Sequence, residues 1–121
     1  NAQVAGKKYD TVYSVIPAHG WFGFEGLIKH NVVTGTEENY HLPTGVYASE
    51  AVFAPRPGGT REDDGYLITF TMDVVNDTSH CQIFDAQNLS DGPIASILLP
   101  ERICSGTHAT WAGAERLTPQ G

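Results

Sequence analysis

The stretch that decides the fold is Tyr66-Leu67-Ile68-Thr69-Phe70-Thr71-Met72-Asp73. Tyrosine, isoleucine, phenylalanine and methionine fall on every second position, and leucine, the two threonines and the aspartate fall between them. Because successive side chains of a strand point to opposite faces, this alternation predicts a β-strand with one apolar and one mostly polar face. Helical periodicity is almost absent elsewhere, so the sequence predicts an all-β protein.

Shorter runs of the same kind flank this strand. They predict further strands at about 11–17, 24–33, 36–42, 50–55, 79–85, 94–99 and 107–112. Thr34-Gly35-Thr36 and Asn76-Asp77-Thr78 predict hairpin turns, because glycine and asparagine tolerate the positive φ that a tight turn needs. A loop rich in Gly, Pro and Asp is predicted at 56–65, and a single helical turn at 85–89. Antiparallel strands at such spacing are typical of a sandwich, a barrel or propeller blades.

Composition sets limits on the class of protein. The chain has 121 residues, of which 40% are hydrophobic and 17% charged, as in ordinary folded domains. Its net charge is −7 and its seven basic residues are scattered, so no nucleic-acid partner is expected. The two cysteines, Cys81 and Cys104, are too few for a disulfide framework and are predicted to be reduced thiols. A cytoplasmic location is the corresponding expectation, and membrane association stays open.

A series of motifs along the chain resembles one known family in order and spacing. They are Phe24-Glu25-Gly26-Leu27-Ile28-Lys29-His30, Glu50-Ala51-Val52-Phe53-Ala54-Pro55-Arg56-Pro57-Gly58, Glu62-Asp63-Asp64-Gly65, Phe84-Asp85-Ala86, Gly92-Pro93-Ile94-Ala95 and Gly106-Thr107-His108-Ala109-Thr110-Trp111. Together they resemble the C-terminal region of the carotenoid cleavage oxygenases. No single motif is specific, but the composite covers nearly the whole chain.

The resemblance implies a seven-bladed β-propeller whose antiparallel strands here form the C-terminal blades. Residues 1–121 are then expected to be the C-terminal part of a single propeller domain, with the remaining blades upstream of residue 1. An isolated piece of this kind is expected to expose sheet edges and apolar blade faces.

The same resemblance implies a non-haem Fe(II) oxygenase that uses O2 to cleave a C=C double bond of a carotenoid, apocarotenoid or stilbene into two carbonyl products. In this family four histidines hold the iron, and His108 matches the last of them, at the predicted start of the final strand. Glu50 matches one of the glutamates behind the ligands. Four neutral imidazoles leave the charge of Fe(II) uncompensated, so a carboxylate that accepts the free ring N–H both orients a ligand and offsets charge.

Other polar residues are predicted to lie outside the site. Four further histidines are expected to be structural or solvated: His19, His30, His41 and His80. Asp63 and Asp64 are expected to be turn and solvating residues in their Gly/Pro-rich loop.

Departures from the family pattern leave the substrate open. Cys104, Ser105 and Thr107 stand where relatives carry bulkier residues, and the resulting Ser-Gly-Thr-His sequence is similar to the bacterial branch that cleaves stilbenes. Two alternatives remain: a self-contained β-sandwich that acts as a binding module, and a family member that isomerises its substrate or has lost activity.

Overall fold

A computed structural model describes residues 1–20 and 22–117, and these form one antiparallel sheet. Its strands are β1 (Thr11–Pro17), β2 (Phe24–Asn31), β3 (Glu37–His41), β4 (Val46–Ala48), β5 (Val52–Pro55), β6 (Gly65–Asp73), β7 (Thr78–Asp85) and β8 (Pro93–Leu98). Short 3₁₀ turns cover Ala2–Val4 and Leu89–Asp91, and a one-turn helix, α1, covers Ala114–Leu117. In the described part of the chain no helix is long and apolar enough to cross a membrane.

The strands form two units that are barely continuous with each other. The path through the sheet is β1-β2-β4-β6-β7-β8, with β3 also paired to β2 and β5 also paired to β6. A single residue pair, Phe24 with Ala48, joins β2 to β4. We therefore treat β1–β3 as the first unit and β4–β8 as the second.

The core lies between the two units. Leu27 of β2 and Leu67 and Phe84 of the second unit are each at most 1% exposed and form one cluster. The ring of Tyr40 meets that of Phe84 edge-on, with centroids 5.3 Å apart. Apolar burial of this kind contributes about 1.5–3 kcal/mol per large side chain, so this contact holds the two units together.

The polar face of β6 is the buried one. Leu67, Thr69 and Thr71 are at most 1% exposed, and Leu67 belongs to the same buried cluster as Leu27 of the first unit. On the opposite face Phe70 is 43% exposed and Ile97, in register with it through Cys81, is 52% exposed. The expected exposure of apolar strand faces is therefore confirmed.

Both predicted hairpin turns are confirmed. Gly35 has φ +71° in the turn between β2 and β3. In the turn between β6 and β7 the positive φ, 53°, belongs to Asp77 rather than to Asn76. The predicted 56–65 loop joins β5 to β6, and its ends are held by the Arg56 N–H, which donates to the Asp64 carbonyl at 3.0 Å.

Three local predictions were wrong. Residues 107–112 form no strand, and the Ala109 N–H donates to the Glu50 carboxylate instead of to the backbone of a neighbouring strand. The predicted turn at 85–89 occurs later, at Leu89–Asp91. The predicted strand at 50–55 begins only at Val52, and the short β4 before it was missed, because three residues carry too little periodicity to be recognised.

Candidate functional site

Glu50 lies in a β-bulge between β4 and β5. Both strands pair with the same edge of β6, through Ala48 with Thr71 and Val52 with Ile68. Between these pairs three residues, 49–51, stand opposite two, 69–70. One extra residue of this kind interrupts the ladder and redirects the side chains beside it.

The Glu50 carboxylate reaches the segment that follows β8. Its Oε2 accepts the backbone N–H of Ala109 at 2.8 Å, a contact that spans 59 positions of sequence. The same oxygen lies 3.6 Å from Nδ1 of His108, which is an ion-pair distance rather than a formed hydrogen bond. The structure thus brings together the two residues that the sequence analysis singled out.

His108 itself stands on the surface of the described chain. Its side chain is 94% exposed, and its backbone is irregular rather than the start of a strand. Within residues 1–20 and 22–117 no hydrogen bond or ion pair involves its Nε2. A histidine whose Nδ1 faces a carboxylate and whose Nε2 is free has the arrangement common to metal ligands.

No metal-binding cluster forms within the described part of the chain. Residues 1–20 and 22–117 contain no cluster of three or more His, Cys, Asp or Glu side chains, so His19, His30, His41 and His80 do not join Glu50 and His108. His30 instead has its Nδ1 3.1 Å from Glu37 Oε1 in an exposed pair. One imidazole with a carboxylate behind it fits a single ligand position of a four-histidine metal site.

Comparison with known proteins identifies the family. The sequence model described as RPE65: Retinal pigment epithelial membrane protein matches residues 1–113. The chain belongs to this family, the carotenoid oxygenases. It is 42% identical over 94 residues to the carotenoid 9,10(9',10')-cleavage dioxygenase of Crocus sativus, covering 76% of this chain and 17% of that protein. It is 37% identical over 84 residues to lignostilbene-alpha,beta-dioxygenase isozyme III of Sphingomonas paucimobilis, covering 69% and 17%.

Solved structures agree with the family assignment. The cobalt-substituted apocarotenoid oxygenase (ACO) of Synechocystis superposes with a TM-score of 0.80 at 31% identity, covering 88% of this chain and 23% of that one. The prediction of an all-β antiparallel part of a β-propeller is therefore confirmed, and the sandwich alternative is wrong. The chain spans about a fifth of the length of the relatives it matches.

Two clefts lie beside the segments that carry Glu50 and His108, and neither cleft is lined by these two residues. One, of about 660 Å³, is bordered by Arg56, Asp64 and Trp111. The other, of about 560 Å³, has mostly apolar walls and is lined by Phe22, Met72, Arg102, Ile103, Cys104 and Ser105. Cys104 and Ser105, which were expected to be smaller than the residues of relatives at these positions, thus lie on an apolar wall just before His108.

Asp63 is an exception to the prediction of a solvating loop residue. It is only 8% exposed, and its Oδ2 lies 3.1 Å from Nζ of Lys29. Burial works to raise the pKa of this carboxyl, but the hydrogen bond and charge of Lys29, with Gln87 and Arg61, hold the pKa below its ordinary value. Asp63 is therefore structural, because its ion pair with Lys29 links β2 to the 56–65 loop.

The residues that shape the bulge were missed by sequence reasoning. Ser49 is 7% exposed and Thr69 is 1% exposed, and their hydroxyl groups lie 3.5 Å apart beneath Glu50. The only available signal was that hydroxyl residues occupy alternate positions of the strand at 66–73. Nothing in the sequence indicated that this polar face would be buried.

Proposed function

We propose that the chain is the C-terminal part of a single β-propeller domain in a non-haem Fe(II)-dependent oxygenase. The enzyme cleaves a C=C double bond of a carotenoid, apocarotenoid or stilbene/phenylpropene with O2, and each alkene carbon takes one oxygen atom to give two carbonyl products. The observation that carries this proposal is the meeting of Glu50 and His108, which lie far apart in sequence and within 3.6 Å in the structure.

In this proposal His108 is one of four histidine ligands of Fe(II), and the other three belong to the remaining blades. Bound Fe(II) would supply the activation of O2 that the oxidative cleavage requires. The negative charge of Glu50, 3.6 Å from Nδ1 of His108, favours the ring proton on that nitrogen and leaves the lone pair of Nε2 for the metal. The Ala109 N–H, bound to the same carboxylate oxygen, fixes where that carboxylate sits. The cobalt-substituted form of a relative supports a metal centre of this kind.

The substrate class in the proposal is a long apolar alkene. Relatives named for carotenoid and for lignostilbene cleavage support it, as does the apolar cleft at Phe22, Met72 and Cys104. A cytoplasmic location accompanies the proposal, because Cys81 and Cys104 are both free thiols and fit a reducing compartment.

The test is the variant His108→Ala in the full-length protein, with His30→Ala as the matched control. His30 is also a histidine beside a carboxylate but lies outside the site. We expect His108→Ala to lose bound iron and at least about 100-fold in cleavage rate, measured by metal analysis and by chromatography of carbonyl products. His30→Ala should retain both.

Stoichiometric iron and normal cleavage in His108→Ala would contradict the proposal. If the unaltered protein binds iron through His108 but forms no carbonyl products, the non-cleaving alternative is correct instead.

A further inference from the structure

The hydroxyl group of Thr69 lies directly beneath the bulge that carries Glu50. We infer that Thr69, together with Ser49, is a positioning residue: it fixes the bulge so that the Glu50 carboxylate meets the segment of His108. This inference rests on the proposed function for its consequence at the metal, but the geometry on which it stands belongs to this chain alone.

The bulge leaves backbone groups that the ladder cannot pair, and the two hydroxyl groups supply partners. Thr69 Oγ1 donates to the Ser49 carbonyl at 3.1 Å and also lies 3.4 Å from the Glu50 carbonyl. Ser49 Oγ accepts the Phe70 N–H at 3.3 Å. Because buried backbone groups without a partner are costly, these contacts stabilise the bulge against a regular strand.

The extra residue decides which way Glu50 points. Counted onward from Ala48, strict alternation would put position 50 on the face of Ala48, which is fully buried. Counted back from Val52, position 50 falls on the face of Val52 instead, and Val52 and Ala109 line the same cleft. A shift of one residue reverses faces, so the carboxylate reaches Ala109 and His108 only while the bulge is intact.

Thr71 provides a control two residues away on the same strand face. Its side chain is fully buried, as that of Thr69 is, but its Oγ1 has no hydrogen-bond partner within the described residues. Replacement of either threonine by valine keeps the shape and removes the hydroxyl. Only at position 69 does the substitution remove a hydroxyl group that contacts the bulge.

The experiment compares Thr69→Val, Thr69→Ser and Thr71→Val in the full-length protein. The first measurement is hydrogen exchange of the Ala109 amide in metal-free protein. We expect exchange to become about three- to tenfold faster in Thr69→Val, as the loss of one hydrogen bond implies, to return to normal in Thr69→Ser, and to stay unchanged in Thr71→Val.

The second measurement is metal binding. Thr69→Val should bind Fe(II) about tenfold more weakly and shift the visible absorption of bound Co(II), whereas Thr71→Val should do neither. If Thr69→Val fails to fold, Ser49→Ala provides the same comparison, with a smaller effect expected in both measurements.

The inference is overturned if Thr69→Val and Thr71→Val change Ala109 exchange equally, or if Thr69→Ser does not restore it. A wrong proposed function would give a different experimental result. The unaltered protein would then bind no iron, while the exchange rates of the metal-free variants would still decide whether Thr69 fixes the bulge.

Discussion

The β6–β7 hairpin and the segment that follows β8 are held in place in opposite ways. The hairpin has eight residue pairs in unbroken register, from Tyr66 with Asp85 to Asp73 with Thr78. The following segment is tied to the sheet by backbone N–H groups that donate to side chains: Ile103 to Ser79 Oγ at 3.0 Å and Ala109 to Glu50 Oε2 at 2.8 Å. The regular region gives stability, and the irregular one carries the proposed iron ligand.

This difference indicates that the two regions should respond to different mutations. Changes in the core between the units should lower the free energy of unfolding of the whole domain. Changes at the side chains that hold the final segment should release that segment and leave the hairpin intact.

The largest effect is expected for Phe84→Ala. Phe84 is fully buried and contacts Tyr40 across the two units, so the truncation removes apolar burial and leaves a cavity. We expect a loss of about 3–5 kcal/mol in the free energy of unfolding, measured by denaturant titration of the full-length protein. Val33→Ala, at a 66% exposed position of a hairpin turn, is the control and should change it by less than about 0.5 kcal/mol. Equal effects of the two variants would contradict the proposed core.

An intermediate effect is expected for Asp63→Asn, which removes the charge that pairs with Lys29. The Lys29 and Asp63 side chains are 14% and 12% exposed, so the unpaired ammonium is poorly solvated. We expect a loss of about 1–3 kcal/mol at pH 7, somewhat below the range for fully buried pairs. Asp91→Asn, at an exposed carboxylate, is the control.

The same variant has a predicted pH dependence. Because the folded pKa of Asp63 lies below its ordinary value of 3.8, the unfolded chain binds this proton first as the pH falls. The stability that the charged carboxylate contributes is therefore complete above the unfolded pKa and is lost as the pH falls through the folded pKa. The difference between Asp63→Asn and the unaltered protein should shrink below about pH 4. A difference that grows on acidification would show that the pair is not stabilising.

The smallest effect is local and is expected for Glu50→Gln. The amide keeps an oxygen for the Ala109 N–H, but a hydrogen bond to a neutral acceptor is about half as strong as one to a carboxylate. We expect Ala109 exchange to become about threefold faster, while the amides of the β6–β7 hairpin stay unchanged. Hydrogen exchange measured at single-residue resolution checks this. Faster exchange of the hairpin amides as well would mean that the two regions are not independent.

The sequence predicted the hairpins better than the site. Alternation at 66–73 and the turns at Gly35 and Asp77 depend on neighbours along the chain, and these predictions were confirmed. The predicted strand at 107–112 was wrong, because an irregular segment can carry the same residue types when distant side chains supply its partners. Burial of Asp63 was missed for the same reason, since its partner Lys29 lies 34 positions away.

The sequence by itself determined most of the strands, both hairpin turns and, through the order of its motifs, the carotenoid oxygenase family and the choice of Glu50 and His108. Only the tertiary structure decided that the polar face of β6 is buried and that one extra residue in the β4–β5 edge turns Glu50 towards Ala109 and His108. Periodicity reports contacts between neighbours in the chain. Which face is covered, and which carboxylate meets which imidazole, depends on the packing of one unit against the other.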